Sequence, residues 1–337
     1  MVLGVAFAAA AGTGLGHAED AAEGVPDAGT LIKEMSEALG SRSYQGIFIY
    51  TRNSRVETIE ITRVAGDSGH GERLRALSGP PWEVVRDGER ILGVLPSGAE
   101  EEKRIKRLPV VTGNAFRRGM PRLSESFKEH YTARILGEDR VAARDAWVVA
   151  IEPEDRFRFS HRFWVDQHTK LVLQAQLRDG DRVLERLVFT EFEVDGDLTA
   201  ADLEPKLSGT EMVWERSVMA RDARDDGETE ESEGHWQVVE PPAGFQLAVH
   251  HRRGTTGSDD QGPEAVRGAM EHMLFSDGIA HVSIYIGQPR ETPPRRMRVG
   301  ALHAYHGPLQ GHNVTIVGDV PGETVEHFAS QLRPARQ

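Results

Sequence analysis

The sequence predicts an α+β protein of two domains: an antiparallel sheet with helices, followed by a smaller C-terminal α+β domain. Three observations support this class. The chain has 337 residues, which is long for a single hydrophobic core. Between residues 44 and 194, short β-rich runs alternate with turns that contain Gly, Asn or Asp. An acidic stretch at 208–234 then precedes a second set of strand and helix patterns.

The composition is that of an acidic, cysteine-free globular protein. Lys and Arg total 40 against 53 Asp and Glu, which gives a net charge of −13. Such a surface repels nucleic acid and anionic membranes, so we expect neither as the main partner. The absence of Cys rules out disulfides, thiol catalysis and cysteine-ligated metal sites.

The first 18 residues have the pattern of a secretory signal peptide. Residues 2–15 are uncharged and mostly apolar, and Gly16 and Ala18 put small side chains at the positions that a signal peptidase reads. A transmembrane helix needs roughly 20 apolar residues, so the run is too short to span a bilayer comfortably. We therefore expect cleavage after Ala18 and an exported mature chain. Because no Lys or Arg precedes the apolar run, a simple apolar extension is the alternative.

The first domain begins with a predicted helix over 27–40. Leu31, Met35 and Leu39 recur at helical spacing, and Gly40 is a suitable C-terminal stop. Predicted strands follow at 44–51, 55–64, 82–87 and 90–96, and a short helix at 124–131. A meander of five further strands is predicted between 131 and 193.

Two strands of this domain indicate an apolar sheet surface. Residues 47–50 are apolar on both faces of their strand, which requires a helix or an internal cavity against the sheet. A strand predicted over 156–166 alternates in character. One face carries Phe157, Phe159, His161, Phe163 and Val165, and the other carries Arg158, Ser160, Arg162 and Asp166. The aromatic face is expected to be buried and the charged face to meet water.

Residues 208–234 are predicted to form a flexible linker. They contain nine acidic residues against three Arg, and a chain with so few apolar side chains cannot repay its ordering entropy. The second domain, 235–335, is expected to contain strands at 245–251, 281–287 and 313–318. Helices are predicted at 263–274 and 321–332.

Catalytic and metal-binding motifs are almost absent, so we expect no enzyme, no cofactor and no metal. Gly66 to Gly69 (GDSG) matches a protease nucleophile segment, but nothing else of such a site is present. Asp222 to Glu233 resembles a calcium loop, except that Arg224 replaces an oxygen ligand. Nine of the 14 His lie from residue 235 onward. Metal binding or pH sensing is one interpretation of this enrichment, and scattered surface and core histidines without such a role are the alternative.

An arginine cluster offers the most visible polar recognition surface. Arg290, Arg295, Arg296 and Arg298 lie in a Pro-rich segment that is predicted to be a loop. Guanidinium groups bind phosphate or carboxylate with two parallel hydrogen bonds. The cluster is therefore a candidate anion or partner patch, and a solvated loop is the alternative.

A set of short segments occurs in a fixed order along the chain: 35–50 (MSEALGSRSYQGIFIY), 83–88 (EVVRDG), 137–141, 155–159 (DRFRF), 163–166, 184–190, 242–245, 271–278 (EHMLFSDG) and 317–321. This ordered set resembles the RseB/MucB family, whose members are periplasmic negative regulators of a sigma-E type envelope-stress sigma factor. Each is short, but they occur in the same order, and the resemblance spans about 35–333, which is nearly all of the mature chain. The chain departs from the family at 79–82 (GPPW), where relatives tend to be basic, so a basic recognition role is not carried over there.

The resemblance implies what each domain does. Residues 27–207 are implied to form a curved half-barrel like the lipoprotein carriers LolA and LolB, closed by helices over an apolar cavity. The cavity residues that we select are Phe48, Tyr50, Phe157, Phe159 and Phe163.

The C-terminal domain is implied to hold the periplasmic part of an RseA/MucA-type anti-sigma factor and to shield it from proteolysis, until lipopolysaccharide or another lipid releases it. A homo-oligomer is left open. A lipid or lipoprotein carrier of LolA type is the alternative, although a carrier needs only the half-barrel.

Overall fold

The computed structural model describes residues 25–66, 69–87, 90–96, 125–215, 235–252, 269–289 and 293–335. Within these ranges the α-helices are α1 (Ala28–Ser41), α2 (Glu125–His130) and α3 (Gly322–Gln331). The expected signal peptide, residues 1–18, lies outside the described residues. No helix of the described ranges is long and apolar enough to cross a membrane.

The described residues of the first domain form one open, curved antiparallel sheet of 11 strands. In chain order these are β1 (Tyr44–Arg52), β2 (Arg55–Gly66), β3 (Gly69–Ala76), β4 (Glu83–Asp87), β5 (Arg90–Leu95), β6 (Tyr131–Val141), β7 (Arg144–Pro153), β8 (Ser160–Asp166), β9 (Val172–Asp179), β10 (Arg182–Val194) and β11 (Thr210–Glu215). Across the sheet the order is β11-β5-β4-β3-β2-β1-β10-β9-β8-β7-β6. Because β1 pairs with β10, the two halves of the meander meet in the middle.

Helix α1 covers one face of this sheet, as its periodicity predicts. Asp27 caps the helix, since its side chain accepts a hydrogen bond from the Thr30 amide at 2.9 Å. The apolar stripe packs Leu31 and Met35, both fully buried, against Trp147 and other side chains of the sheet. We call the sheet face that α1 covers the inner face. The predicted helices at 27–40 and 124–131 are both confirmed.

The second domain is also rich in strands. Its six-stranded sheet contains β13 (Gln246–Arg252), β14 (Ala269–Ser276), β15 (His281–Gly287), β16 (Arg295–Val299), β17 (Leu302–Leu309) and β18 (His312–Gly318) in the order β13-β14-β15-β18-β17-β16. A small pair joins β12 (Trp236–Val238) to β19 (Leu332–Pro334). Helix α3 confirms the prediction at 321–332 and packs Val325 and Phe328 into the domain's core.

The helix predicted at 263–274 is wrong for residues 269–274, which belong to strand β14. Met273 and Phe275 of this strand are instead buried in the core of the second domain. The strands on both sides explain the difference, because β13 and β15 each pair with β14 along its length. Residues 263–268 lie outside the described ranges.

The linker was predicted over 208–234, but its first part is structured. Residues 210–215 form strand β11 and pair with β5. The preceding turn is anchored by Glu83, a fully buried carboxylate. Its Oε2 accepts backbone N–H groups from Lys206 at 2.9 Å and from Leu207 at 2.7 Å. This anchor carries the chain to the edge of the sheet, where β11 adds to it. Residues 216–234 lie outside the described residues.

Candidate functional site

The five aromatic residues selected for a lipid cavity do not lie together. Phe48 and Tyr50, on β1, are buried on the inner face, where Phe48 packs on Phe189 with ring centroids 5.5 Å apart. Phe163, on β8, belongs to a second cluster of that face, and α1 contributes side chains to both clusters. All three are therefore part of the packing between the sheet and its helix.

The other two aromatic residues contact the second domain. β8 begins only at Ser160, so Phe157 and Phe159 precede the strand that we predicted for them. Phe159 is buried against Leu184 and Ala301, and Ala301 belongs to the turn between β16 and β17. The Phe157 ring lies 5.1 Å from the ring of His327 on α3. Phe157 and Phe159 thus form part of the interface between the two domains, which we call the joint.

Arg158, which the alternation placed on a water-facing surface, is instead buried at this joint. Its Nε donates to Asp277 Oδ2 at 2.5 Å, and its other nitrogens donate to Asp155 and to the Ala243 carbonyl. The guanidinium carbon lies 4.8 Å from the ring centroid of Phe245. The prediction failed because the partners of Arg158 are distant in sequence, and no local pattern reveals them.

Tyr131 completes this buried polar group. Its hydroxyl donates to Asp277 Oδ2 at 2.9 Å. Burial, together with the negative charge of Asp277, raises the pKa of Tyr131 well above its usual value, so the hydroxyl remains a donor. Burial alone would lower the pKa of Arg158, but the charge and hydrogen bond of Asp277 outweigh it and raise that pKa. The group is thus a charged Arg–Asp pair with a neutral tyrosine.

Two turns of the second domain reach the inner face. One is the turn after β14, in which Ile279 is buried among the residues that pack on α1. The other is the turn before β17, in which Ala301 is fully buried. Tyr50 donates to Glu185 Oε2 at 2.6 Å, and the Ala301 amide lies 3.5 Å from Glu185 Oε1. Burial raises the pKa of Glu185. The second domain therefore covers one end of the inner face.

The arginine cluster lies partly on a strand rather than in a loop. Arg295, Arg296 and Arg298 belong to β16, which is an edge of the second sheet and is exposed throughout. Arg296 Nε lies 2.9 Å from Glu326 Oε1 on α3, and Arg298 Nε donates to the Gly300 carbonyl at 3.2 Å. Arg290 lies outside the described residues. Pairing with β17 overrode the loop signal of the prolines.

Several C-terminal histidines have structural partners. Nδ1 of His303 lies 2.7 Å from the Val320 carbonyl, and Nδ1 of His306 lies 2.8 Å from the Thr315 hydroxyl. His250 is paired with the buried Glu271, whose carboxylate also accepts the Trp236 amide. Among the described residues, no group of three or more His, Asp or Glu is arranged to hold a metal ion.

Comparison with known proteins identifies the relatives of both domains. A family model described as the MucB/RseB N-terminal domain matches residues 27–207, and the model of the MucB/RseB C-terminal domain matches residues 230–333. The sigma factor AlgU regulatory protein MucB of Pseudomonas aeruginosa is 31% identical over 322 residues, which are 91% of each chain. The sigma-E factor regulatory protein RseB of Escherichia coli K12 is 25% identical over 327 residues, 93% of this chain and 92% of RseB.

Solved structures of such a relative have the same fold. The complex of Pseudomonas aeruginosa MucA and MucB matches with a TM-score of 0.68 and 25% identity, over 93% of this chain and all of that chain. A crystal structure of MucB in complex with MucA(peri) matches with a TM-score of 0.66 and 26% identity, over 92% of this chain and all of that one.

Proposed function

The chain belongs to the MucB/RseB family, and from this premise we propose that it is a periplasmic negative regulator of a sigma-E type sigma factor. In this proposal it binds the periplasmic part of an RseA/MucA-type membrane anti-sigma factor and shields that part from regulated proteolysis. Lipopolysaccharide or another lipid signal releases it. The role is one of binding and requires no chemical step.

The observation that carries this function is the extent of the match to MucB. It covers 91% of both chains and includes both domains, and two matched structures are complexes of MucB with MucA. A carrier of LolA type, the alternative, needs only the first domain. The second domain, with its own sheet, helix and core, has no role in that alternative.

We place the polar part of the anti-sigma contact on the exposed arginines of β16. Arg295, Arg296 and Arg298 carry three positive charges within five residues of a chain whose net charge is −13. The same strand exposes half of Met297 and Val299, so apolar anchors lie beside the charges. This mixture suits a peptide that offers carboxylates and apolar side chains. Arg290 lies outside the described residues and remains a predicted member of this patch.

The lipid signal is assigned to the first domain, and its apolar inner face supports that assignment. Phe48, Tyr50 and Phe163 lie on this face, whereas Phe157 and Phe159 lie at the joint with the second domain. A lipid bound at the inner face would thus lie close to the joint. Contact between the two regions provides a route from lipid binding to the partner-binding domain.

A pull-down tests the proposed function. The mature protein is incubated with the periplasmic segment of the cognate anti-sigma factor, with and without lipopolysaccharide. We expect a specific complex that lipopolysaccharide dissociates, and a slower cleavage of the segment by the initiating protease while the complex persists. A mature protein that does not retain the segment contradicts the proposal, and retention that no lipid reduces contradicts the release step.

A further inference from the structure

We propose that the outer face of the first sheet carries a binding surface for an acidic peptide of another protein, bound in an extended conformation. The outer face is the one opposite the inner face, against which α1 and the turns of the second domain lie. Three arginines on neighbouring strands form the surface: Arg162 on β8, Arg178 on β9 and Arg186 on β10. We call them the outer triangle. The proposal goes beyond the proposed function, because it gives the first domain a partner surface of its own.

The register of the sheet brings the outer triangle together. Phe163 and Leu187 belong to clusters of the inner face, so alternation directs their neighbours Arg162 and Arg186 to the outer face. These two arginines lie opposite Gln176 from its two sides, which places their backbones two strands, or about 10 Å, apart. The third arginine follows two residues further along β9, on the same face. The triangle is therefore compact enough for one ligand.

The positive charge of the outer triangle is not neutralised within the described part of the chain. Arg178 Nη1 donates to Gln176 Oε1 at 2.9 Å, and Arg186 Nη2 donates to Gln174 Oε1 at 2.8 Å. Arg162 Nε is buried and has no hydrogen-bond partner among the described residues. Since an amide oxygen is neutral, the glutamines orient two guanidinium groups without cancelling their charge.

The chemistry of this surface selects an anion with acceptor oxygens. Guanidinium groups bind carboxylates with two parallel hydrogen bonds, and the oxygens of the two glutamines already accept from the triangle. The nearby carboxylate of Asp139 is engaged by the Trp164 indole, which lowers its pKa, and Arg186 adds a smaller effect in the same direction. On a chain whose net charge is −13, three such cations form a local positive field that attracts an acidic partner.

An exposed apolar side chain beside the triangle favours a peptide over a phosphate polymer. Val56 is 65% exposed and lies opposite Thr51, which in turn lies opposite Arg186. A peptide supplies an apolar side chain for this position together with its carboxylates, whereas a phosphate polymer supplies only charge. Alternate side chains of an extended peptide are about 7 Å apart, a spacing that the long arginine side chains can match.

Peptide binding to the full mature protein tests this inference. The probe is a fluorescein-labelled peptide of alternating Glu and Val, and fluorescence anisotropy measures its affinity. Every sample also carries Arg295→Gln, Arg296→Gln and Arg298→Gln, so that the arginines of β16 do not bind the probe. We expect replacement of the outer triangle by Gln to weaken binding by roughly tenfold, since three exposed charge pairs together contribute at most about 150-fold.

A matched control removes the same charge elsewhere. Lys33→Gln, Arg42→Gln and Arg333→Gln change three exposed residues outside the triangle and should alter the affinity by less than about twofold. Circular dichroism checks the fold of each variant. Arg186→Gln alone, at an exposed position, should weaken binding by roughly threefold and keeps the test valid if the triple variant unfolds.

The apolar contact separates a peptide from a phosphate ligand. We expect Val56→Ser to weaken binding of the peptide by roughly threefold and to leave binding of tripolyphosphate, the second probe, unchanged. Tighter binding of tripolyphosphate than of the peptide overturns the choice of ligand. Equal losses for the triangle and control variants, or a parent protein that does not bind the peptide, overturn the site. None of these measurements includes the anti-sigma segment, so their outcome is independent of the pull-down.

Discussion

Arg158 Nε donates to Asp277 Oδ2 at 2.5 Å, and this pair, 119 positions apart in sequence, joins the two domains through a buried salt bridge. Both side chains are removed from water. A buried ion pair costs much desolvation energy and is stable only when the remaining polar atoms are satisfied. Here Tyr131, Asp155 and the Ala243 carbonyl supply those additional hydrogen bonds. The arrangement fixes how the second domain sits against the first.

Removing one partner of this pair should destabilise the protein strongly. Arg158→Met leaves Asp277 buried without its cation, and we expect a loss of roughly 3–5 kcal/mol in the free energy of unfolding. Urea unfolding followed by tryptophan fluorescence measures it. Arg156→Met is the control, since Arg156 pairs with Glu323 at the exposed surface and should cost only about 0–1 kcal/mol. Equal losses for the two variants would contradict the importance of the buried pair.

Stability should fall in mild acid through His161. Burial lowers the pKa of His161 from 6.5 to about 4, although Asp277 acts in the opposite direction. The unfolded chain therefore binds a proton that the folded protein does not bind between pH 4 and 6.5, so stability decreases as the pH falls through this window.

Melting temperatures at several pH values measure this effect. We expect His161→Gln to have a flatter pH profile than the parent between pH 4 and 6.5, because it removes the titrating group. His168→Gln, at an exposed position, is the control and should keep the parent's profile. Identical profiles for His161→Gln and the parent would refute this assignment.

Reversing the charge of the arginine patch should weaken the anti-sigma complex without unfolding the second domain. Exposed charge pairs are worth about 0–1 kcal/mol each, so Arg295→Glu with Arg296→Glu should reduce affinity by up to roughly 30-fold. Calorimetric titration with the periplasmic segment measures the affinity. Glu326→Gln breaks the ion pair with Arg296 without reversing the patch, and it should bind as the parent does. If the double variant also binds as the parent does, the patch is a solvated surface.

Limited proteolysis should cut the chain first within 216–234. This segment is acidic and poor in apolar residues, which favours protease access. Residues 210–215 should resist, because β11 is paired with β5. We expect two folded fragments that remain associated through the joint and separate in denaturant. A first cut inside 210–215 would disagree with the strand, and uniform resistance across 216–234 would disagree with the linker.

Local patterns in the sequence determined the elements whose partners are close or whose periodicity is strong. The spacing of Leu31 and Met35 predicted α1, and the capping side chain of Asp27 begins it. The alternating runs from residue 44 onward predicted the antiparallel sheet, and the ordered short segments identified the family. These predictions are confirmed because helix and strand periodicities are properties of consecutive residues.

Only the tertiary structure decided which polar residues are buried and where the domains meet. Arg158 looks water-facing by alternation, yet it is buried because Asp277 and Phe245 come from the other domain. The arginines at 295–298 follow two prolines, yet they form a strand because β17 pairs with them. Such outcomes depend on contacts between residues far apart in the chain, and the free energy of burying a charge is set by those contacts rather than by its neighbours in sequence.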